Sequence, residues 1–240
     1  QEVIKGATFG LFFANTSELT EKNAVLTAVT DENGIFNFSN IPYGEYLIKE
    51  IKPADSYLDN EDVFTVTIKD NEQVVELTAI NDKVPELKTK ATVNGKKEII
   101  AKSEITIKDT VEYKHLVPNT EYVIKGTLMD KSTGKLFKVK GKEITSTVKF
   151  VPDKANGKVE VTFTFDGSAI KKDTELVVFE TLYRDEVKLT AHADINDDGQ
   201  TVTIKPYIPH NPKTGDERNI GTWIGLGGVG LGAAVAVLVL

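Results

Sequence analysis

The sequence predicts an all-β protein: two tandem β-sandwich domains followed by a C-terminal hydrophobic helix. Three observations carry this expectation. Short runs rich in Val, Ile, Thr, Phe and Tyr recur between polar turn signals through most of the chain. Apolar and polar residues alternate with period two in its longest segments, the pattern of half-buried strands. An uncharged apolar run extends from Ile220 to Leu240, about the length that crosses a bilayer core as a helix. Asp82-Lys83-Val84-Pro85 joins a proline to charges and reads as a linker, so the expected units are 1–82, 86–208 and 209–240.

Composition narrows the function classes. A length of 240 residues allows two modest domains beside a tail. A net charge of −7, with Lys, Glu and Asp spread along the chain, argues against nucleic acid, which requires a basic patch. No cysteine occurs, so an exported protein of this sequence draws stability from its cores or from a covalent device other than a disulfide. The three histidines, His115, His192 and His210, have no metal-ligand spacing, and no metal or cofactor is expected. The acidic stretch Asp194 to Asp198 lacks the ligand pattern of a calcium loop and reads as a turn. Neither a phosphate-binding glycine loop nor a Gly-x-Ser-x-Gly elbow is found, and a turnover enzyme has little support. The sequence begins at Gln1 without a signal peptide, and is expected to be a piece of a longer exported protein.

In residues 1–82, turns fall at Asp31-Glu32-Asn33-Gly34, Pro42-Tyr43-Gly44 and Lys69-Asp70-Asn71. The series Gly6-Ala7-Thr8-Phe9, Gly34-Ile35-Phe36-Asn37-Phe38, Ile41-Pro42-Tyr43-Gly44-Glu45-Tyr46 and Glu50-Ile51-Lys52-Pro53 resembles the prealbumin-like B-type repeats (the Cna B or SpaA type) of collagen adhesins and pilins. The resemblance implies an isopeptide bond between a first-strand Lys and a last-strand Asn, assisted by a Glu. Glu50 matches the Glu and alternates onto a face with Tyr46 and Ile48. Asn81 matches the Asn, on a face with Val75, Leu77 and Ala79. Lys5 lies too close to the Gly-Ala-x-Phe motif to be the lysine, so the first strand is expected upstream of Gln1. At this point Glu50 and Asn81 read equally well as part of a crosslinking site or as ordinary strand-end polar residues.

In residues 86–208, alternation places single polar groups in otherwise apolar rows. Leu87, Thr89, Ala91 and Val93 share a face, which turns Thr89 inward and Thr92 outward. Ile105, Ile107, Asp109, Val111 and Tyr113 share another. Leu176 to Tyr183 is apolar on both faces, which marks a central strand, and Glu180 lies with Leu176, Val178 and Leu182. In the last strand Gln200 lies with Val202 and Ile204. A hydroxyl, two carboxyls and a carboxamide thus face one core, which suggests a buried polar network or a reaction. Alternation does not place His192.

Asp109-Thr110-Val111-Glu112-Tyr113, Gly126-Thr127-Leu128-Met129-Asp130, Val177-Val178-Phe179-Glu180 and His192-Ala193-Asp194-Ile195-Asn196-Asp197 with Gln200-Thr201 look like a VaFE repeat, an immunoglobulin-like adhesin-stalk domain with an internal ester bond. The resemblance implies an ester between Thr89 and Gln200, with Asp109, Glu180 and His192 assisting. Thr89 attacks the Gln200 carboxamide and ammonia leaves, once per molecule, so this is self-modification rather than enzyme turnover. Asp109 and Glu180 are expected to share the proton work and to support the acyl oxygen, with His192 relaying a proton near the surface.

Asn211-Pro212-Lys213-Thr214-Gly215, a charged spacer and the apolar run together resemble the LPXTG-type sorting signal of Gram-positive surface proteins. The resemblance implies cleavage between Thr214 and Gly215 by a sortase, attachment of Thr214 to peptidoglycan, and transient residence of the tail in the membrane. Asn211 replaces the usual Leu, and the basic end is absent. The expected function is a cell-wall-anchored, extracellular stalk of a surface adhesin or pilin-like protein. The alternative is a module that binds a host extracellular-matrix protein or glycan.

Overall fold

A computed structural model of the chain describes residues 2–209. The sorting motif with Thr214 and Gly215, and the apolar run expected as a helix, lie outside the described residues. All sixteen regular extended segments are strands, with one 3₁₀ turn at Glu21–Asn23, so the described part is all-β.

The first four strands are β1 (Thr8–Phe13), β2 (Leu26–Val29), β3 (Gly44–Lys52) and β4 (Val63–Ile68). They form one antiparallel sheet in the order β2-β1-β3-β4. Its core face carries Phe9, Leu11, Tyr46, Ile48 and Val66. A full sandwich was expected here, and the structure differs. The cover over this face comes from Phe36, Phe38, Leu77 and Ala79, on extended segments that join no named strand. Packing holds them together with hydrogen bonds outside any ladder: the Phe9 and Phe36 rings stack with centroids 4.2 Å apart, and Asn60 Nδ2 donates to the Ile80 carbonyl at 3.0 Å. Leu77 and Ala79 face the core as alternation requires, but Val75, expected beside them, is 44% exposed.

The next strands are β5 (Glu86–Val93), β6 (Glu98–Ile100), β7 (Ile105–Lys114), β8 (Tyr122–Asp130), β9 (Lys135–Leu136), β10 (Lys138–Val139), β11 (Lys142–Glu143), β12 (Thr145–Phe150), β13 (Gly157–Phe165), β14 (Thr174–Arg184), β15 (Val187–His192) and β16 (Thr201–Lys205). A three-stranded sheet has the order β13-β7-β5. A larger sheet has the order β12-β8-β14-β16-β6, with β15 also on β14 and β9 on β8. Pairings are antiparallel except β16 with β6. The two sheets enclose one core, with Ile105, Ile107 and Val111 contributed by β7 and Ile124, Leu128, Leu176, Leu182 and Val202 by the larger sheet. Each of these fully buried side chains contributes about 1.5–3 kcal/mol of transfer free energy.

β14 is central, with β8 on one edge and β15 and β16 on the other, which accounts for apolar residues on both of its faces. β5 and β16 lie in different sheets, so a bond between their residues would tie the sheets together.

Candidate crosslinking site

The sequence of β5 sets the first group. Leu87, Thr89, Ala91 and Val93 point toward the core, and Thr89 is only 6% exposed. Thr92 is on the other face, its hydroxyl 3.5 Å from the Lys108 carbonyl, and Thr110 stands opposite Lys90 in the ladder. On β7, Asp109 is opposite Ala91 and is completely buried between Ile107 and Val111. From the larger sheet, β14 brings a completely buried Glu180, and β15 ends with His192 directly opposite it. Five residues expected to act together are therefore brought to one place from both sheets, with Gln200 as the fifth.

Gln200 is not a strand residue, contrary to expectation. Its N–H donates to the Asp197 carbonyl at 3.1 Å and closes a turn just before β16. Its own carbonyl accepts from the Val178 N–H at 3.0 Å, which anchors the turn to β14. The side chain nevertheless enters the core and is fully buried.

The carboxamide is oriented on its nitrogen side. Gln200 Nε2 donates to Glu180 Oε2 at 3.0 Å and to the His192 carbonyl at 3.2 Å. Gln200 Oε1, Glu180 Oε1 and both Asp109 oxygens are buried without a conventional donor. Four enclosed acceptors cost several kcal/mol if none carries a proton. Burial accordingly pushes the Glu180 carboxyl up to about 11, aided by its hydrogen bond with Asp109 and the Asp109 charge. Burial also raises Asp109, while the Glu180 hydrogen bond and the Lys97 charge oppose the rise. A pair that holds a proton at neutral pH can donate to the amide oxygen, which two carboxylates cannot.

The Thr89 hydroxyl lies against an imidazole. Thr89 Oγ1 is 3.1 Å from His192 Nδ1, and the far ring nitrogen, Nε2, is 3.2 Å from Asp197 Oδ2. An Nε2–H donated to Asp197 leaves Nδ1 to accept the threonine proton. Asp197 is the member of this hydrogen-bond chain that sequence reasoning missed. Its other oxygen accepts the Gly199 N–H at 2.6 Å, so one carboxylate both orients the imidazole and shapes the Gln200 turn. Its signal was its position five residues after His192, but alternation says nothing inside a turn.

Hydroxyl, base, orienting carboxylate, proton-bearing carboxyl pair and fixed carboxamide are the parts an acyl transfer requires.

Elsewhere, Glu50 is 5% exposed on β3, and burial raises its carboxyl above the ordinary range. Asn81 Nδ2 donates to Glu50 Oε1 at 2.7 Å, and the Asn60 N–H donates to Oε2 at 3.0 Å. The two residues matched in sequence are in contact, and Lys5 is instead engaged with Glu32.

Residues 85–204 match the family model described as T-Q ester bond containing domain. Residues 1–83 match a SpaA-type prealbumin-like fold domain. Among solved structures, the chain is similar to a bacterial adhesin from Mobiluncus mulieris containing intramolecular disulfide, isopeptide and ester bond cross-links. The identity is 21% and the TM-score 0.45, over 52% of this chain and 58% of that one. It is also similar to BcpA, the major pilin subunit of Bacillus cereus, with 16% identity and a TM-score of 0.46, over 85% of this chain and 65% of that one. The chain thus spans less than two thirds of either protein's length. No curated protein sequence matches it. The chain belongs to the family of proteins that contain a T-Q ester bond domain.

Proposed function

We propose that this chain is a load-bearing stalk region of a Gram-positive surface adhesin or pilin-like protein, with one domain locked by an ester between Thr89 and Gln200. The convergence of Thr89, Asp109, Glu180, His192 and Gln200 in one water-poor site carries this reading. His192 takes the Thr89 proton while Oγ1 bonds to the Gln200 carboxamide carbon. The proton held by the Glu180 and Asp109 pair supports the developing oxyanion and then helps the nitrogen leave. The C–N bond breaks, an O–C bond replaces it, and the threonine proton departs on ammonia. Fixed placement by the two sheets substitutes for turnover machinery.

Sortase cleavage between Thr214 and Gly215 would join the stalk to peptidoglycan, with the load passing from the wall through the crosslinked domain. Intact mass of the purified chain tests the ester: loss of one ammonia is expected in the wild type and in neither Thr89→Ala nor Gln200→Ala. A folded wild type with the unmodified mass overturns the proposal. Incubation with a purified sortase and a glycine nucleophile tests anchoring, with release of the segment from Gly215 onward and a product in which the Thr214 carbonyl is joined to the added glycine expected.

A further inference from the structure

Many lysines of this protein serve as surface ion-pair partners, and Lys97 does not. Lys108, Lys114, Lys149, Lys158 and Lys205 each meet a Glu within 4 Å. Among the described residues Lys97 pairs with no carboxylate. Its ammonium instead donates to three main-chain carbonyls, those of Asp198 at 2.9 Å, Gly199 at 2.6 Å and Thr201 at 3.2 Å. An ammonium has three N–H donors, and all three are used. The three acceptors bracket the one residue whose side chain must be attacked.

The rest of the turn is bound in the same way. Gly199 O also accepts the Ala91 N–H at 2.9 Å, two residues beyond Thr89 on β5. Thr201 Oγ1 donates to the Asp197 carbonyl at 2.7 Å, and Thr203 N donates to the Lys97 carbonyl at 2.7 Å. Lys97, on the segment that follows β5, therefore binds the acyl-donor turn through charge-assisted hydrogen bonds, the stronger kind. Its charge also bears on the buried pair: it lowers the Asp109 carboxyl, while desolvation lowers the ammonium itself.

We infer that Lys97 is a positioning residue for ester formation, a cationic staple that fixes the backbone on both sides of Gln200 so that its carboxamide carbon is presented to Thr89 Oγ1. Lys97 touches neither reacting group. It acts through carbonyls 198, 199 and 201, and secondarily through its field at Asp109. The groups facing Asp109 are Glu180, His192, Thr89 and Lys97, and those facing Lys97 are Asp109, Lys90, Asp197 and Asp198.

The inference rests on the ester reading, and the test separates the two. The full chain is made by cell-free translation and quenched into denaturant at intervals, and the fraction that has lost ammonia is read by intact mass. Wild type, Lys97→Met, Lys97→Gln and Lys97→Arg are followed between pH 5 and 9. Wild type converts, and Lys97→Met converts about tenfold to a hundredfold more slowly, the range expected for a misplaced reacting group. Lys97→Arg, which restores a cationic donor, recovers most of the rate. The low-pH limb of the rate profile moves to higher pH in Lys97→Met and Lys97→Gln, because Asp109 loses the nearby cation, an effect that simple loosening of the turn does not produce. If wild type never loses ammonia, the ester reading fails. If wild type converts and Lys97→Met and Lys97→Gln keep pace at every pH, the staple is refuted while the ester stands. If Lys97→Met does not fold, Lys97→Gln and Lys97→Arg decide: equal rates for both refute the role of charge.

Discussion

At the scale of single residues, the site combines two proton economies that a soluble surface would not keep apart. Glu180 holds its proton because burial excludes the charged form, and His192 turns Nδ1 toward Thr89 while its far nitrogen meets Asp197. Replacing His192 by Ala should slow ammonia loss by about two to four orders of magnitude, the usual contribution of a positioned base. Asp197→Asn should slow it less, since the turn keeps an acceptor for the Gly199 N–H while the imidazole loses its charged partner. Time-resolved intact mass checks both, and an Asp197→Asn rate equal to wild type would remove Asp197 from the chain of residues acting on Thr89.

The buried carboxyl also makes stability depend on pH. Glu180 has a folded pKa far above its unfolded value of about 4.3, so between those limits the native state holds a proton that the unfolded chain releases. Stability from this group is complete below the unfolded value and declines as pH rises, with a limiting slope of about 1.4 kcal/mol per pH unit. In a Thr89→Ala background, where no ester masks the effect, the urea midpoint should fall between pH 5 and pH 8. Adding Glu180→Gln should flatten that dependence. Parallel curves for the two variants would show that Glu180 is ionised in the folded state.

At the scale of elements, the site depends on how closely the two sheets approach. Gly126 on β8 is opposite Glu180 in the ladder, and a Cβ placed there would lie 2.5 Å from Phe163 Cζ and 3.1 Å from Val161 Cγ1, both on β13 of the other sheet. Gly126→Ala must therefore displace the Phe163 ring or shift β13 or β8 beside Glu180. A loss of about 1–3 kcal/mol is expected from overpacking, with slower ester formation. Denaturant unfolding of Thr89→Ala with and without Gly126→Ala isolates the packing cost; no change in midpoint would mean that Phe163 has room to turn.

The same scale shows what a sequence can reveal. Alternation turned Thr89, Asp109 and Glu180 inward because each lies in the interior of a strand longer than seven residues, where the side-chain period is undisturbed. It gave no placement for His192 or Asp197, and it turned Gln200 inward correctly but on a strand the residue does not join. His192 is the last residue of β15, Asp197 lies in a turn, and Gln200 is held inward by main-chain hydrogen bonds rather than by a ladder. The cover over the first sheet was illegible for a related reason. Phe36 and Phe38 have the spacing of a strand, but whether a segment joins a ladder depends on its neighbours, which its own sequence does not encode.

At the scale of the molecule, the position of the proposed ester decides what force can do. Thr89 is on the first strand of its domain and Gln200 immediately precedes the last, and the two strands belong to different sheets. Asp82 in the preceding linker is held by Arg184 of β14 at 2.6 Å, so load reaches β5 through a segment already docked on the larger sheet. With the ester in place, the chain between residues 89 and 200 is shielded from tension, and closing a loop of this size is worth on the order of 4–5 kcal/mol by the chain-entropy argument. Without it, β5 can peel from β7 and the core opens. Pulling single molecules from handles at the two ends should therefore separate the two cases. Thr89→Ala should release the whole span between residues 89 and 200, roughly 40 nm at about 3.6 Å per residue, in one event. The wild type should lack that event at any force below rupture of a covalent bond. A wild type that shows the same 40 nm step would mean that tension does not pass through a Thr89–Gln200 link, whatever its mass.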